Sequence, residues 1–136
     1  MLQSVVDELG MQKQISIDSA GTAGYHVGGM ADERMRDHAS KRGYDLTSRA
    51  RKFSADDFEK FDLIVPMDRE NLRDIMSLAD EASKPNAEIK LLSEFLDGEW
   101  PTDVPDPYYG GAEGFEYVLD MIEAACPAIV DFCKSN

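Results

Sequence analysis

The chain has 136 residues, 43% of them hydrophobic, which is typical of one soluble domain with a single buried core. Its 27 acidic and 14 basic side chains give a formal net charge of −13. This charge argues against nucleic acid or an anionic membrane as a partner, because phosphate contacts need clustered Lys and Arg. With no signal peptide and no apolar run near the ~20 residues that span a bilayer, we expect a cytoplasmic protein.

The first third of the chain switches between helical and strand patterns. Helical spacing of apolar residues over 2–9 predicts a short helix that Gly10 ends. Residues 14–19 alternate between polar and apolar, as a half-buried strand does. A polar helix is then predicted from 31 to 42, ending before Gly43.

The middle of the chain continues this alternation. The basic cluster at 49–52 is interpreted as a solvated connector. Residues 54–57 resemble a capping box that opens a brief helical turn, with Asp57 in place of the usual Glu. An apolar strand is predicted at 61–66, a helix at 69–82 and a further strand at 89–92.

The last predicted helix runs from 113 to 132 and carries both cysteines, Cys126 and Cys133, which lie seven residues apart. Neither has the donor-rich surroundings that lower a thiol pKa, so we expect both to act as small core residues. No cysteine or histidine cluster suggests a metal site. The predicted apolar stripe of this helix consists of Phe115, Val118, Leu119, Ile122, Cys126, Ile129 and Cys133.

Strands that alternate with helices of ten or more residues predict an α/β domain with a parallel sheet covered on both faces. Such a domain is expected to open with a strand, because its first helix crosses over from one parallel strand to the next. Here the first predicted element is a helix. The turn after a first strand often binds anions, and that turn is the element that the pattern lacks.

Asp106 stands between two prolines and is followed by Tyr108, Tyr109 and two glycines. Each proline fixes its own φ and favours extended geometry in the residue before it, so the Asp106 carboxyl is held on a stiff, non-helical arm. One interpretation is a general acid beside an aromatic substrate slot. The other is an ordinary proline-rich turn ahead of a helix, and the pattern alone leaves both open.

Four segments together resemble the low molecular weight protein tyrosine phosphatases, in order from about Ile17 to Phe132. They are Asp18-Ser19-Ala20-Gly21-Thr22, the 58–64 run, Met67-Asp68-Arg69-Glu70-Asn71-Leu72 and Asp106-Pro107-Tyr108-Tyr109-Gly110. The resemblance implies an α/β, flavodoxin-like, three-layer domain with a parallel sheet in the order 2-1-3-4. It also implies a first strand leading into a loop with a nucleophilic cysteine, five residues, an arginine and a serine or threonine.

The sequence contains no such Cys-x5-Arg segment. We therefore expect residues 1–136 to be a single domain of this family, N-terminally incomplete, that lacks the first strand and the phosphate loop. Without the nucleophile the chain itself is expected to be inactive. The strands that would flank the absent one are expected to leave unpaired edges, through which the chain could self-associate.

The resemblance also implies roles for particular residues. Asp106 corresponds to the general acid that protonates the leaving phenol oxygen and then acts as base toward water. Tyr25, Tyr108 and Tyr109 are expected to bind the substrate ring, and Ser19 to support the phosphate loop by a hydrogen bond.

Two further motif positions and two departures complete the comparison with the family. Asp68 and Asn71 match motif positions that we interpret as structural. Residues 29–31 stand where a proline pair is common, and Ser48 stands where many relatives have a histidine.

The expected substrate is a phosphotyrosyl protein or a small aryl phosphate, with no cofactor and no metal. A non-catalytic binding protein or relic of the family is the alternative. A phospho-receiver module with Asp68 as acceptor is disfavoured, because its pair of magnesium-binding acids and its lysine are absent. A thioredoxin-coupled arsenate reductase is disfavoured because Pro66-Met67-Asp68 stands where its further cysteines should follow the middle strand.

Overall fold

The computed structural model describes residues 1–11, 13–22, 29, 32–47, 51–79, 87–106 and 111–135. Its helices are α1 Leu2–Glu8, α2 Glu33–Ser40, α3 Asp57–Lys60, α4 Arg69–Ala79 and α5 Gly111–Ser135. The strands are β1 Leu63–Ile64 and β2 Glu88–Ile89, and a 3₁₀ helix covers Leu92–Phe95. From α3 onward helices and strands alternate, as the pattern predicts, while α1, α2 and α3 follow one another with no strand between them among the described residues.

The two strands pair in parallel, with Leu63 opposite Glu88 and Ile64 opposite Ile89. The pairing extends beyond the strands, since the Leu92 N–H donates to the Pro66 carbonyl at 3.0 Å. β1 falls within the strand predicted at 61–66, whereas β2 overlaps the strand predicted at 89–92 only at Ile89, and Leu92 begins the 3₁₀ helix. The parallel sheet of the predicted fold class is confirmed for this pair.

Successive residues of β1 point to opposite faces of the sheet. Ile64 belongs to a buried cluster that includes Ile75 of α4. Leu63 packs against a second buried cluster that includes Met121 and Ile129 of α5. Helices therefore cover both faces, with α4 on one side and α5 on the other.

Glycines end the first two helices as predicted. Gly10 has φ 67° and Gly43 has φ 87°, in the left-handed region that only glycine enters without strain. The second helix is shorter than predicted, because Asp32 caps it at Glu33. The Asp32 carboxylate accepts hydrogen bonds from the backbone N–H groups of Arg34 and Met35, at 2.9 and 3.4 Å.

The strand predicted at 14–19 is wrong as a hydrogen-bonded element. Ile15 and Ile17 are half-buried and Ser16 is exposed, so the predicted alternation in burial is present. Within residues 13–22, however, the one ladder contact is a parallel bridge between Gly21 and Lys52. Alternation reports which side chains are buried, whereas a strand also requires a backbone partner.

The apolar stripe of α5 is confirmed. Every predicted position is buried or half-buried, and Met121, Ala125 and Val130 join them. Burial raises the pKa of both the Cys126 and the Cys133 thiol, so the reactive thiolate is disfavoured. Although α5 has 25 residues, no helix in the described part of the chain is long and apolar enough to cross a membrane.

A charge network joins α2 to α5. Arg42 pairs with Glu116, with Asp120 at 2.8 Å and with Glu123 at 3.3 Å. His38 Nδ1 lies 2.8 Å from Glu116 Oε1. Hydrogen bonds from His38 and Arg42 lower the pKa of Glu116, so this carboxyl stays ionised near neutral pH.

Candidate active site

Three segments of the chain meet at the N-terminal turn of α4, which follows the carboxyl end of β1. Asn71 Nδ2 donates to Thr22 Oγ1 at 3.4 Å, which brings in the segment that contains Ser19. The Arg69 N–H donates to Asp103 Oδ1 at 2.8 Å, which brings in the loop that contains Asp106. The carboxyl ends of parallel strands are where ligands bind in open α/β sheets.

Asp68 and Asn71 hold the start of α4. The Asp68 carboxylate accepts a hydrogen bond from the Asn71 N–H at 2.7 Å, three residues along. This is how a carboxylate caps the free N–H groups of a first helical turn. The contact of Asn71 with Thr22 extends the same anchoring to a second segment, so the structural interpretation of both residues is supported.

The loop before α5 places Asp106 at the protein surface. The Val104 N–H donates to the Met67 carbonyl at 3.0 Å, so the loop runs beside the end of β1. The Val104 side chain packs against the core cluster that contains Met121. Asp106 itself is exposed, as a general acid must be if a substrate is to reach it.

Asp103 and Arg69 form a two-pronged ion pair beside this loop. The Asp103 carboxylate oxygens lie 3.2 Å from Arg69 Nε and 3.0 Å from Arg69 Nη2. Hydrogen bonds from the Arg69 side chain and backbone lower the pKa of Asp103. The carboxyl is therefore ionised, and the pair intact, near neutral pH.

Ser19 lies in a segment that is tied down by its neighbours. The Ser19 N–H donates to Asp18 Oδ1 at 2.8 Å, and Arg51 Nε donates to Asp18 Oδ2 at 2.9 Å. The Gly21 N–H donates to the Arg51 carbonyl at 2.8 Å. Arg51 therefore fixes the chain on both sides of Ser19, which is itself exposed.

Arg51 is a structural tie, which corrects its interpretation as part of a solvated connector. It donates two hydrogen bonds, of 3.0 and 3.1 Å, to the carboxylate of Asp57, which is 3% exposed. Burial alone would raise the pKa of Asp57, but hydrogen bonds from Arg51 and the Ser54 N–H outweigh it and lower the pKa. The buried carboxylate is compensated because its partner is charged.

The capping box predicted at 54–57 is present in part. Asp57 accepts a hydrogen bond from the Ser54 N–H at 2.9 Å, as such a box requires. The N-cap of α3 is Asp56, however, and not Ser54. The Asp57 carboxylate thus accepts hydrogen bonds both from the Ser54 N–H in this turn and from the Arg51 side chain.

Tyr25, Tyr108 and Tyr109, which are predicted to bind the substrate ring, lie outside the described residues, and so does Ser48. The structure therefore brings together two of the predicted site segments, those of Ser19 and Asp106. Two polar residues of the site were missed, Arg51 and Asp103. Arg51 pairs with Asp18 and Asp103 pairs with Arg69, and in both pairs the partners lie more than thirty residues apart in sequence. The periodicity of residues within one helix or strand therefore cannot predict either ion pair.

An open polar cavity of about 470 Å³ lies at this junction, and charged side chains of both signs line it. Within the described ranges, no group of three or more His, Cys, Asp or Glu could hold a metal ion. The carboxylate and guanidinium groups around the cavity can form hydrogen bonds and ion pairs. The lining consists of Asp68, Arg69, Glu70, Arg73 and Asp103.

Comparison with protein families gives a match over the whole chain. The model described as low molecular weight phosphotyrosine protein phosphatase matches residues 1–136. A Synechocystis protein whose name places it among the low molecular weight protein-tyrosine-phosphatases is 42% identical over 126 residues, which are 93% of this chain and 80% of that protein. A low molecular weight protein-tyrosine-phosphatase of Streptomyces coelicolor is 38% identical over 129 residues, 92% of this chain and 77% of its own.

Solved structures agree with this match. A protein tyrosine phosphatase from Entamoeba histolytica, crystallised with Hepes in its active site, superposes with a TM-score of 0.88 at 34% identity. The superposition covers 98% of this chain and 85% of that chain. The Entamoeba histolytica phosphatase and this chain therefore share one fold over 98% of this chain.

Proposed function

This chain belongs to the low molecular weight phosphotyrosine protein phosphatase family, and on that premise we propose that its protein hydrolyses phosphotyrosine and aryl phosphate monoesters. Asp106 is the proposed general acid, and catalysis proceeds through a phosphocysteine. The observation that carries the proposal is the placement of the Asp106 loop. It docks at the end of β1 through the Val104 N–H and at the first turn of α4 through Asp103.

The proposed reaction has two steps. A cysteine thiolate attacks phosphorus, the bond from phosphorus to the phenol oxygen breaks, and the Asp106 carboxyl gives its proton to that oxygen. Water then attacks the phosphocysteine and gives a proton to the Asp106 carboxylate, which releases phosphate and restores the thiolate. A phenolate is a poor leaving group, so a positioned proton accelerates its departure, typically by ~10²–10⁴-fold.

The remaining site residues take the roles that the family suggests. Tyr25, Tyr108 and Tyr109 form the proposed slot for the substrate ring. Ser19 supports the phosphate loop, and the anchoring of its segment by Arg51 supports that role. The proposed substrate is a phosphotyrosyl protein or a small aryl phosphate.

The nucleophile is proposed to lie outside the present sequence. Both cysteines lie on α5, and burial raises the pKa of each thiol. No Cys-x5-Arg segment occurs among the 136 residues, while the Synechocystis relative extends beyond the matched 80% of its length. We propose that the first strand of a 2-1-3-4 sheet and the phosphate loop lie outside residues 1–136, and that residues 1–136 alone are inactive.

The test compares the chain with a chimera that carries a family-type strand and Cys-x5-Arg-Ser loop at its N-terminus. The chimera should hydrolyse aryl phosphates, whereas the chain alone should be no faster than its own Asp106→Ala variant. Covalent catalysis needs an activated nucleophile, and an acid alone has no intermediate to serve. Activity of the chain alone that Cys126→Ser or Cys133→Ser abolishes would refute this assignment.

A non-catalytic binding protein is the second candidate, because no Cys-x5-Arg segment occurs among the 136 residues. It would give an inactive chimera that still binds phosphotyrosyl peptides. Reading the coding DNA upstream of Met1 separates the two candidates independently, because the enzyme requires an in-frame strand and Cys-x5-Arg loop.

Light scattering on the chain and the chimera tests the proposed self-association of the chain through unpaired strand edges.

A further inference from the structure

The loop from Leu96 to Asp106 crosses from the 3₁₀ helix to α5 without forming a helix or strand. It turns at Gly98, whose φ is 93°. Trp100 lies against α5, with its ring centroid 5.7 Å from that of Tyr117. This aromatic contact attaches the loop to α5 close to Asp103 in sequence, so opening of the loop at Asp103 is expected to change the exposure of Trp100.

A second attachment of the loop is the pair formed by Arg69 and Asp103. Asp103 Oδ1 accepts a hydrogen bond from the Arg69 N–H at 2.8 Å, and the Arg69 guanidinium adds bonds of 3.2 Å and 3.0 Å to the two carboxylate oxygens. Exposed ion pairs usually contribute little, because two flexible side chains must be ordered. Here the carboxylate is oriented by a backbone N–H at a helix N-terminus, where the helix dipole favours an anion.

The next residue fixes the backbone at the same place. The Val104 N–H donates to the Met67 carbonyl at 3.0 Å. Pro105 has a fixed φ, and Pro107 favours extended geometry at Asp106. Consecutive Cα atoms are 3.8 Å apart, so the Asp106 Cα lies within about 7.6 Å of the Val104 Cα, and a shift at residue 103 or 104 reaches Asp106.

We propose that the Arg69–Asp103 ion pair clamps the Asp106 loop onto the first turn of α4, so that both are positioning residues for the general-acid step. The positioning role rests on the proposed function of Asp106. Proton transfer requires the acid within about 2.6–3.2 Å of the leaving oxygen. A misplacement of about 1 Å can cost ~10²-fold in rate, so a clamp of this kind affects catalysis without touching substrate.

The first experiment measures loop docking on the 136-residue chain without any enzyme assay. Trp100 is the one tryptophan of the sequence, so acrylamide quenching of its fluorescence reports on this loop alone. Asp103→Asn and Arg69→Met each remove the charged pair but keep the backbone hydrogen bond, because Asn retains an acceptor oxygen. Each should raise the quenching constant roughly twofold, as expected for a loop that opens locally.

Two matched variants control for the loss of charge. Asp97→Asn removes a carboxylate from the same loop, and Arg73→Met removes a guanidinium one turn further along α4. Both should leave the quenching constant unchanged. The double variant Asp103→Asn/Arg69→Met should match either single variant, because one interaction is lost in all three. Additive effects in the double variant, or quenching of both single variants at the wild-type level, would overturn the clamp.

The second experiment tests the positioning role on the chimera. Asp103→Asn should lower kcat/KM, which reports the phosphoryl transfer to the cysteine, about tenfold for phenyl phosphate and much less for aryl phosphates whose phenolate leaves unaided, since only the former depend on the acid. A merely structural role would lower kcat/KM equally across the series, and that result would overturn the positioning role.

The two experiments separate this inference from the proposed function. An inactive chimera would overturn the proposed function, and the positioning role with it, while the quenching of Trp100 still decides whether the pair holds the loop. An active chimera in which Asp103→Asn raises quenching but spares every substrate would refute positioning alone.

Discussion

The face of the molecule covered by α5 and the junction at the start of α4 are held together by different forces. On the α5 face, side chains such as Met121, Ala125 and Val130 are at most 1% exposed. At the junction, Ser19 and Asp106 are exposed. Hydrogen bonds and ion pairs, such as those of Arg51 and Arg69, hold that junction in place.

The difference follows from what each region must do. Burial of apolar surface is non-directional and stabilises the domain as a whole, at roughly 25 cal/mol per Å². A reaction site, as proposed for the junction, must remain open to substrate, so directional polar contacts hold much of it in place. We therefore expect substitutions on the α5 face to change stability and substitutions at the junction to change activity.

The largest effect on stability is expected for Met121→Ala. Met121 is 0% exposed, and its truncation leaves a cavity in a closely packed core, which typically costs about 2–5 kcal/mol. Met76, on α4, is 51% exposed, so Met76→Ala is the matched control and should stay within about 0.5 kcal/mol. Urea unfolding of both variants measures the difference, and equal stabilities would show that α5 does not cover the core.

A smaller loss of stability is expected for Asp57→Asn, because this substitution removes the negative charge that pairs with Arg51. Loss of one partner from a buried hydrogen-bonded pair costs about 1–3 kcal/mol near neutral pH. The pKa of Asp57 is lowered by folding, so its stabilisation is complete above the unfolded pKa of about 3.9 and is lost as pH falls through the folded pKa. The gap between wild type and variant should therefore be full at pH 7 and shrink below about pH 3.9.

The exposed neighbour supplies the control for that titration. Asp56 makes no side-chain cap hydrogen bond, so Asp56→Asn should change stability by less than about 0.5 kcal/mol at either pH. Unfolding measured by circular dichroism over this pH range gives both curves. A gap between wild type and Asp57→Asn that does not depend on pH would show that the charge of Asp57 is not what stabilises the fold.

The α5 face could be predicted from sequence because burial repeats with the helical period. The stripe through Phe115, Cys126 and Ile129 is found where its spacing places it. The 61–66 strand was likewise predictable from a short apolar run. The 14–19 segment shows the limit of such patterns, since alternation does not identify a backbone partner.

The junction was only partly predictable. The prolines around Asp106 indicate a stiff, exposed arm, and Asp106 is exposed. The ties of Arg51 to Asp18 and of Arg69 to Asp103 join residues that are distant along the chain. Such pairs leave no periodic trace, so they emerge only when the fold brings the segments together.

The central claim is that Asp106 is a general acid, and a leaving-group series on the chimera tests it most directly. Asp106→Asn should lower kcat/KM, which reports the phosphoryl transfer to the cysteine, by ~10²–10⁴-fold for phenyl phosphate, and far less for aryl phosphates whose phenolate leaves unaided. Its stability should stay within about 0.5 kcal/mol of the parent, because the side chain is exposed. An equal loss of kcat/KM across the whole series would contradict the claim and make Asp106 a residue that only shapes the loop.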